Sequence, residues 1–145
     1  MILFSSEIEF ELKKRKKMNK LIIDVANEKI FLMIISNVSI YNITHENTKI
    51  NYEKLTIIIN DFISSKNIQI TNISGIYINQ GSGSFAGLRN LISVVKAFNV
   101  AKNIDYYCYN LDDFKDEKDL SHENIPNLCK KYKIKKNLIN PVYLS

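Results

Sequence analysis

The residues with the clearest capacity for chemistry lie in one nine-residue stretch, Gly81-Ser-Gly-Ser-Phe-Ala-Gly-Leu-Arg89, which carries three of the four glycines in the chain. Glycines there let the backbone take positive φ and turn sharply into a following helix, for which Ser84 is well placed as an N-cap. Two phosphate-binding patterns can be tested against it. A Walker loop ends in Gly-Lys-Ser/Thr, and the chain has Gly87-Leu88-Arg89 instead. A dinucleotide pattern G-x-G-x-x-A runs formally from Gly81 to Ala86, but it belongs after the first strand of a βαβ unit, and residues 101–103 hold no acidic partner at the required spacing. Ser84 has no histidine near it in sequence, so no catalytic triad is visible. His45 and His122 stand far apart in expected loops, form no i, i+4 metal-binding pair, and read as solvated surface residues. Cys108 and Cys129 fit a reduced interior better than a disulfide framework.

The elements that must position these residues are legible from Leu21 onward. Leu21-Ile-Ile-Asp-Val predicts a buried strand and residues 26–29 a tight turn. Residues 30–35 and 38–43 predict two more strands, which complete an antiparallel meander. Residues 52–66 switch to helical period, with Leu55, Ile58, Ile59 and Phe62 on one stripe flanked by Tyr52 and Ile63. Residues 73–79 predict a fourth strand, 85–102 a second helix, and the tyrosine-rich residues 105–110 a fifth strand. Strands separated by helices pair in parallel through right-handed crossovers. The expected fold is therefore α/β, a mixed five-stranded sheet with helices on its face in the order β-β-β-α-β-α-β. That is the element order of one lobe of the actin-like and ribonuclease-H-like folds.

Length and charge bound the rest. A chain of 145 residues, 46% hydrophobic, can bury one core. Residues 1–17 read as a dispensable or disordered extension with Met18 as an alternative start, residues 18–111 as the lobe, and residues 112–145 as a tail with a short helix over 125–132 and a closing segment. Nothing is long and apolar enough to cross a bilayer or serve as a secretory signal, so the cytosol is the expected compartment. The net charge of +5 sits near the ends: between Leu21 and Asn110 there are seven Lys or Arg against six Asp or Glu. A solvated charge run explains this better than a nucleic-acid surface, and any tRNA contact is expected to be weak or indirect.

The glycine stretch resembles the Gly-Pro-Gly-Ser-Phe-Thr-Gly-Leu-Arg signature of the TsaB (YeaZ) family, departing at Ser82 and Ala86. Leu21-Ile-Ile-Asp-Val-Ala is similar to the family's opening strand, which ends Ile-Asp-Thr-Ser, and Asn51-Tyr-Glu-Lys-Leu-Thr-Ile-Ile-Ile to its His-Ser-x-x-Leu-Leu-Pro-x-Ile helix. Pro141-Val-Tyr-Leu144 is similar to its closing Pro-x-Tyr-Leu-Arg. The resemblance implies a non-catalytic subunit supporting threonylcarbamoylation of the adenosine beside the tRNA anticodon. It would pair with the transferase (TsaD-like) subunit and a small ATPase (TsaE-like) subunit, or with a second copy of itself through the same helices. It also implies a two-lobed fold, of which this chain holds the first lobe only. No cofactor is expected on this chain; ATP and a divalent metal belong to the partner subunits. Asp24, Gly81, Gly83, Ser84, Phe85, Gly87 and Arg89 form the signature loop and its phosphate-facing neighbour, degenerate here because Asp24-Val-Ala replaces Asp-Thr-Ser.

Helical spacing adds a binding face. At 100° per residue, Leu88, Leu91, Ile92, Val95 and Phe98 share the side that should cover the sheet. Nearly opposite lies a strip of small residues that permits close approach of another helix, either a partner's or the first helix of this chain. The expected partner-binding residues are Tyr52, Ile59, Ile63, Ala86, Asn90, Ser93, Val94, Ala97 and Ala101. The alternative function is a stand-alone nucleotide-binding lobe of an actin-like ATPase or kinase relative.

Overall fold

The computed structural model describes residues 18–81 and 86–139. The expected extension over residues 1–17, Gly83, Ser84 and Phe85 of the signature loop, and the closing segment 140–145 lie outside the described residues.

Five strands form one mixed sheet: β1 (Asn19–Asp24), β2 (Lys29–Ile35), β3 (Ile40–Glu46), β4 (Ile73–Asn79) and β5 (Asp105–Tyr109), in spatial order β3-β2-β1-β4-β5. The first three pair antiparallel, and β4 pairs in parallel with both β1 and β5. This is the mixed pairing that short turns followed by helical crossovers require. Among the described residues, four α-helices accompany the sheet: α1 (Lys49–Glu53), α2 (Leu55–Ser65), α3 (Ala86–Lys102) and α4 (Ile125–Lys131). The single helix expected over residues 52–66 starts earlier and is broken. Thr48 caps α1 by accepting from the Asn51 N–H, and at Lys54 (φ −103°, ψ 14°) the chain leaves helical geometry before α2 resumes. Asn67 and Asn103, both at positive φ, turn the chain out of α2 and α3.

Strand alternation divides the core in two. Leu21, Ile23 and Val25 face α1, α2 and α3, where Leu55, Ile59, Phe62, Ile63, Leu88, Leu91 and Val95 complete a continuous apolar layer. Ile22, Met33, Tyr77 and Tyr109 face the other way. Beyond Asn110 the chain does not trail off as the weak pattern in its sequence suggests. Phe114, Ile125, Leu128 and Cys129 pack onto that second face and are almost wholly buried. Each such side chain contributes roughly 1.5–3 kcal/mol by leaving water.

The same segment also finishes the sheet. Asn137, at φ 60°, donates its backbone N–H to the Tyr106 carbonyl at 2.7 Å and accepts the Tyr106 N–H on its side-chain oxygen at 2.9 Å. One residue thus pairs both backbone groups that Tyr106 turns to the open edge of β5.

Because Phe114 fills the centre of the second layer against Tyr109 (ring centroids 5.7 Å) and Tyr132 (5.5 Å), Phe114→Ala is expected to cost roughly 3–5 kcal/mol in urea unfolding. A loss below about 1 kcal/mol would show that residues 111–139 are an appendage to the lobe.

Candidate functional site

The parallel register of β1 and β4 brings their C-terminal ends level, with Asp24 opposite Asn79. Asp24 is 3% exposed and ringed by donors. Its Oδ1 accepts the Ala26 N–H at 2.9 Å, and its Oδ2 accepts from Asn79 Nδ2 at 3.2 Å and lies 2.9 Å from His122 Nε2. Asn79 in turn accepts the Gly81 N–H at 2.9 Å on its side-chain oxygen. Gly81 has φ +55°, and a Cβ there would stand 2.9 Å from that of Ala26, so glycine is required on both counts. One polar knot therefore joins the end of β1, the end of β4, the start of the glycine loop and the C-terminal segment.

His122 corrects an expectation. It is not a solvated loop residue: its ring stacks on Phe31 at 4.3 Å between centroids and its side chain is two-thirds covered. His45 also lies outside a loop, on β3 opposite Ile30. No periodicity links His122 to Asp24 across 98 residues, so only the fold could reveal the pair. Burial by itself would raise the Asp24 pKa, but hydrogen bonds from His122, the Ala26 N–H and Asn79 outweigh it and hold the carboxyl below its ordinary 3.8. With three donors from its own chain, the carboxylate is occupied.

The remaining reactive groups are muted. Burial pushes the thiols of Cys108 and Cys129 up to about 12, which leaves them protonated, and they lie on opposite faces of the sheet. Among the described residues, no group of three or more His, Cys, Asp or Glu could hold a metal ion. No helix among them is long and apolar enough to cross a membrane.

The other face of the strand ends presents Gly87. The Tyr52 ring packs so closely on it that a Cβ at Gly87 would fall 2.2 Å from the ring carbon bearing the hydroxyl. This explains the third glycine of the signature as a seat for an aromatic ring.

The expected partner face divides. Tyr52, Ile59 and Ile63 are 8%, 0% and 1% exposed and belong to the lobe's own core, so none of the three is open to a partner. Helix α2 turns its apolar stripe inward because the sheet needs that layer. On α3 the outcome is different: Asn90, Ser93, Ala97 and Ala101 are exposed, and Val94 is half-buried. Val100 and Ile57 are also largely in water, at 86% and 59%. Helix α2 leaves this strip uncovered. Arg89 is exposed, and the Ala86 side chain lies outside the described residues.

No protein-family model matches the sequence, and no curated protein matches it either. Solved structures do. YeaZ from Pseudomonas aeruginosa superposes with a TM-score of 0.57 over 63% of this chain, at 16% identity. A protein described as uncharacterized, with similarity to peptidase YEAZ from Pseudomonas aeruginosa, matches with the same values. The chain folds like YeaZ over that stretch. The match spans 43% of either neighbour's length, so the likeness extends to less than half of them.

Two predictions follow from the contacts. Gly87→Ala should destabilise the lobe by roughly 1–3 kcal/mol through overpacking against Tyr52. In a Tyr52→Leu background the same substitution should cost much less; equal cost in both would rule out the ring contact as its cause. For the polar knot, folding lowers the Asp24 pKa, so its contribution to stability is complete above about pH 4 and fades as pH falls through the lowered folded value. Asp24→Asn should flatten the acid limb of urea-derived stability against pH, and His122→Ala should cost roughly 1–3 kcal/mol at pH 7. An unchanged acid limb in Asp24→Asn would contradict the assignment.

Proposed function

We propose that this chain is a non-catalytic binding subunit, a TsaB-like first lobe of actin-like type. It would support threonylcarbamoylation of the adenosine beside the tRNA anticodon by docking on a TsaD-like transferase subunit. The observation that carries the reading is the outward strip of α3, where Asn90, Ser93, Ala97 and Ala101 are exposed. Solvated helices place long charged residues on such a side, whereas short uncharged ones let a second helix approach closely. The fold likeness to YeaZ and the glycine signature support the same partner class. A TsaE-like ATPase, with ATP and the divalent metal, would act on the partner subunits, and tRNA would be reached through the complex.

The alternative of a nucleotide-binding lobe draws less support. Asp24, the acidic group at the strand ends, already accepts three donors of its own chain.

The test is capture of the transferase subunit by the purified chain. Ala97→Glu places a carboxylate in the middle of the strip and should weaken capture by several kcal/mol, about a hundredfold or more. Circular dichroism should stay unchanged, since Ala97 is exposed while Leu91, Val95 and Phe98 still cover the sheet. A folded variant that binds at full strength would remove α3 from the interface.

A further inference from the structure

The two edges of the sheet are treated differently. On β5, Asn137 takes up the backbone groups of Tyr106, whereas β3 lies outermost on the other side with no such cover among the described residues. Edge strands are commonly kept from pairing by lysine, proline, a bulge or shortness. Strand β3 uses none of these: it runs seven residues in unbroken register with β2 and contains no Lys, Arg or Pro. Its one carboxylate, Glu46, is tied to Lys29 at 2.6 Å. Ile40 and Ile43 on the strand and Val38 in the turn before it are exposed.

Hydrogen bonding at the β2–β3 turn fixes which backbone groups are spare. Ser36 donates its N–H to the Ser39 carbonyl at 2.9 Å, and in an antiparallel ladder hydrogen-bonded and non-hydrogen-bonded pairs alternate from there. Tyr41, Ile43 and His45 therefore spend their N–H and C=O groups on β2. Ile40, Asn42 and Thr44 aim theirs outward, and no hydrogen bond among the described residues takes them up. Glu46 follows the same parity: its carbonyl accepts from the Thr48 N–H at 3.0 Å and from Asn51 Nδ2 at 2.8 Å, neither of them on β2. Outward groups at alternate positions are the pattern that a further antiparallel strand needs.

We propose that β3 is a pairing edge for a second copy of this chain, joined antiparallel about a two-fold axis at Asn42. The strand is complementary to itself in that register. Ile40 meets Thr44 of the second copy, Asn42 meets Asn42 and Thr44 meets Ile40, so every spare N–H finds a carbonyl. Between them Tyr41 meets Ile43, an aromatic and β-branched pair of the kind that stabilises sheets. Glu46 falls opposite Val38, and no two charged residues stand face to face. The arrangement closes on itself, because each copy's open edge is consumed. Backbone pairing along one short strand buries little surface, so the pair is weak and forms at high concentration. Helix α3, with the strip proposed for the transferase, is a separate element, so the two readings stand or fall apart.

Sedimentation equilibrium of the full chain over a concentration series tests this. A reversible rise in mean mass from one chain to two, with no larger species, is expected. Asn42→Lys puts two ammonium groups opposite each other across the axis and should weaken pairing at least several-fold, as should Asn42→Glu with two carboxylates. Both variants should keep the circular dichroism and Tm of the parent, since Asn42 is exposed on the outermost strand. An equimolar mixture of the two should pair at least as strongly as the parent, an outcome that requires residue 42 to face its own counterpart. A chain that stays monomeric at every concentration would overturn the proposal, as would capture of an unlike extended peptide by such a monomer. So would a dimer that survives both variants, or one that Ala97→Glu dissolves while Asn42→Lys does not, which would place the contact on α3.

Discussion

Strand β1 must be dry on both faces, and most of the molecule is a response to that requirement. Leu21, Ile22 and Ile23 are each 0% exposed, which in a strand means a layer above, a layer below and a neighbour at each edge. The two edges are β2 and β4, the layer on one face is α1 to α3, and the layer on the other is the segment from Phe114 to Cys129. None of these elements is optional once a run as apolar as Leu21-Ile-Ile is placed at the centre.

Two-sided burial then shapes the chemistry at the strand ends. Asp24 follows the apolar run directly, so its carboxylate is carried into the protein and must be met by donors there. The Ala26 turn, Asn79 and His122 meet it from three separate parts of the chain. The C-terminal segment is consequently held by apolar packing and by a charge-assisted contact at once. On the opposite face the same strand ends leave room for the Tyr52 ring only because Gly87 has no side chain. Two glycines of the loop thus answer to different demands: Gly81 to its backbone conformation as well as to the neighbouring Ala26, Gly87 to the volume of the Tyr52 ring.

Fold and function part company at the surface. A likeness to YeaZ at 16% identity fixes an architecture, while a binding role depends on which side chains face water. Here the division is sharp between adjacent helices. Helix α2 spends its apolar stripe on the core, and helix α3 covers the sheet with one side while leaving a short, uncharged strip outside.

Periodicity in the sequence determined much of this protein by itself. The 73–79 strand was legible to the residue, because a β-branched run between turn signals has one way to be buried. The side of α3 that meets the sheet was equally plain, since five apolar residues at helical spacing leave no other choice. Helix α2 shows where periodicity stops: it identifies an apolar stripe but not what covers it, so Ile59 and Ile63 read as partner residues until the sheet claimed them. The layer below the sheet was missed for a related reason. Phe114, Ile125 and Leu128 are spread over short turns with no repeat, and they become a core only where the chain is folded back on β1. The meeting of Asp24 with His122 belongs wholly to the tertiary structure. A hydrogen bond across 98 residues leaves no spacing to read, and it exists because two strands end level and a third segment is drawn over them.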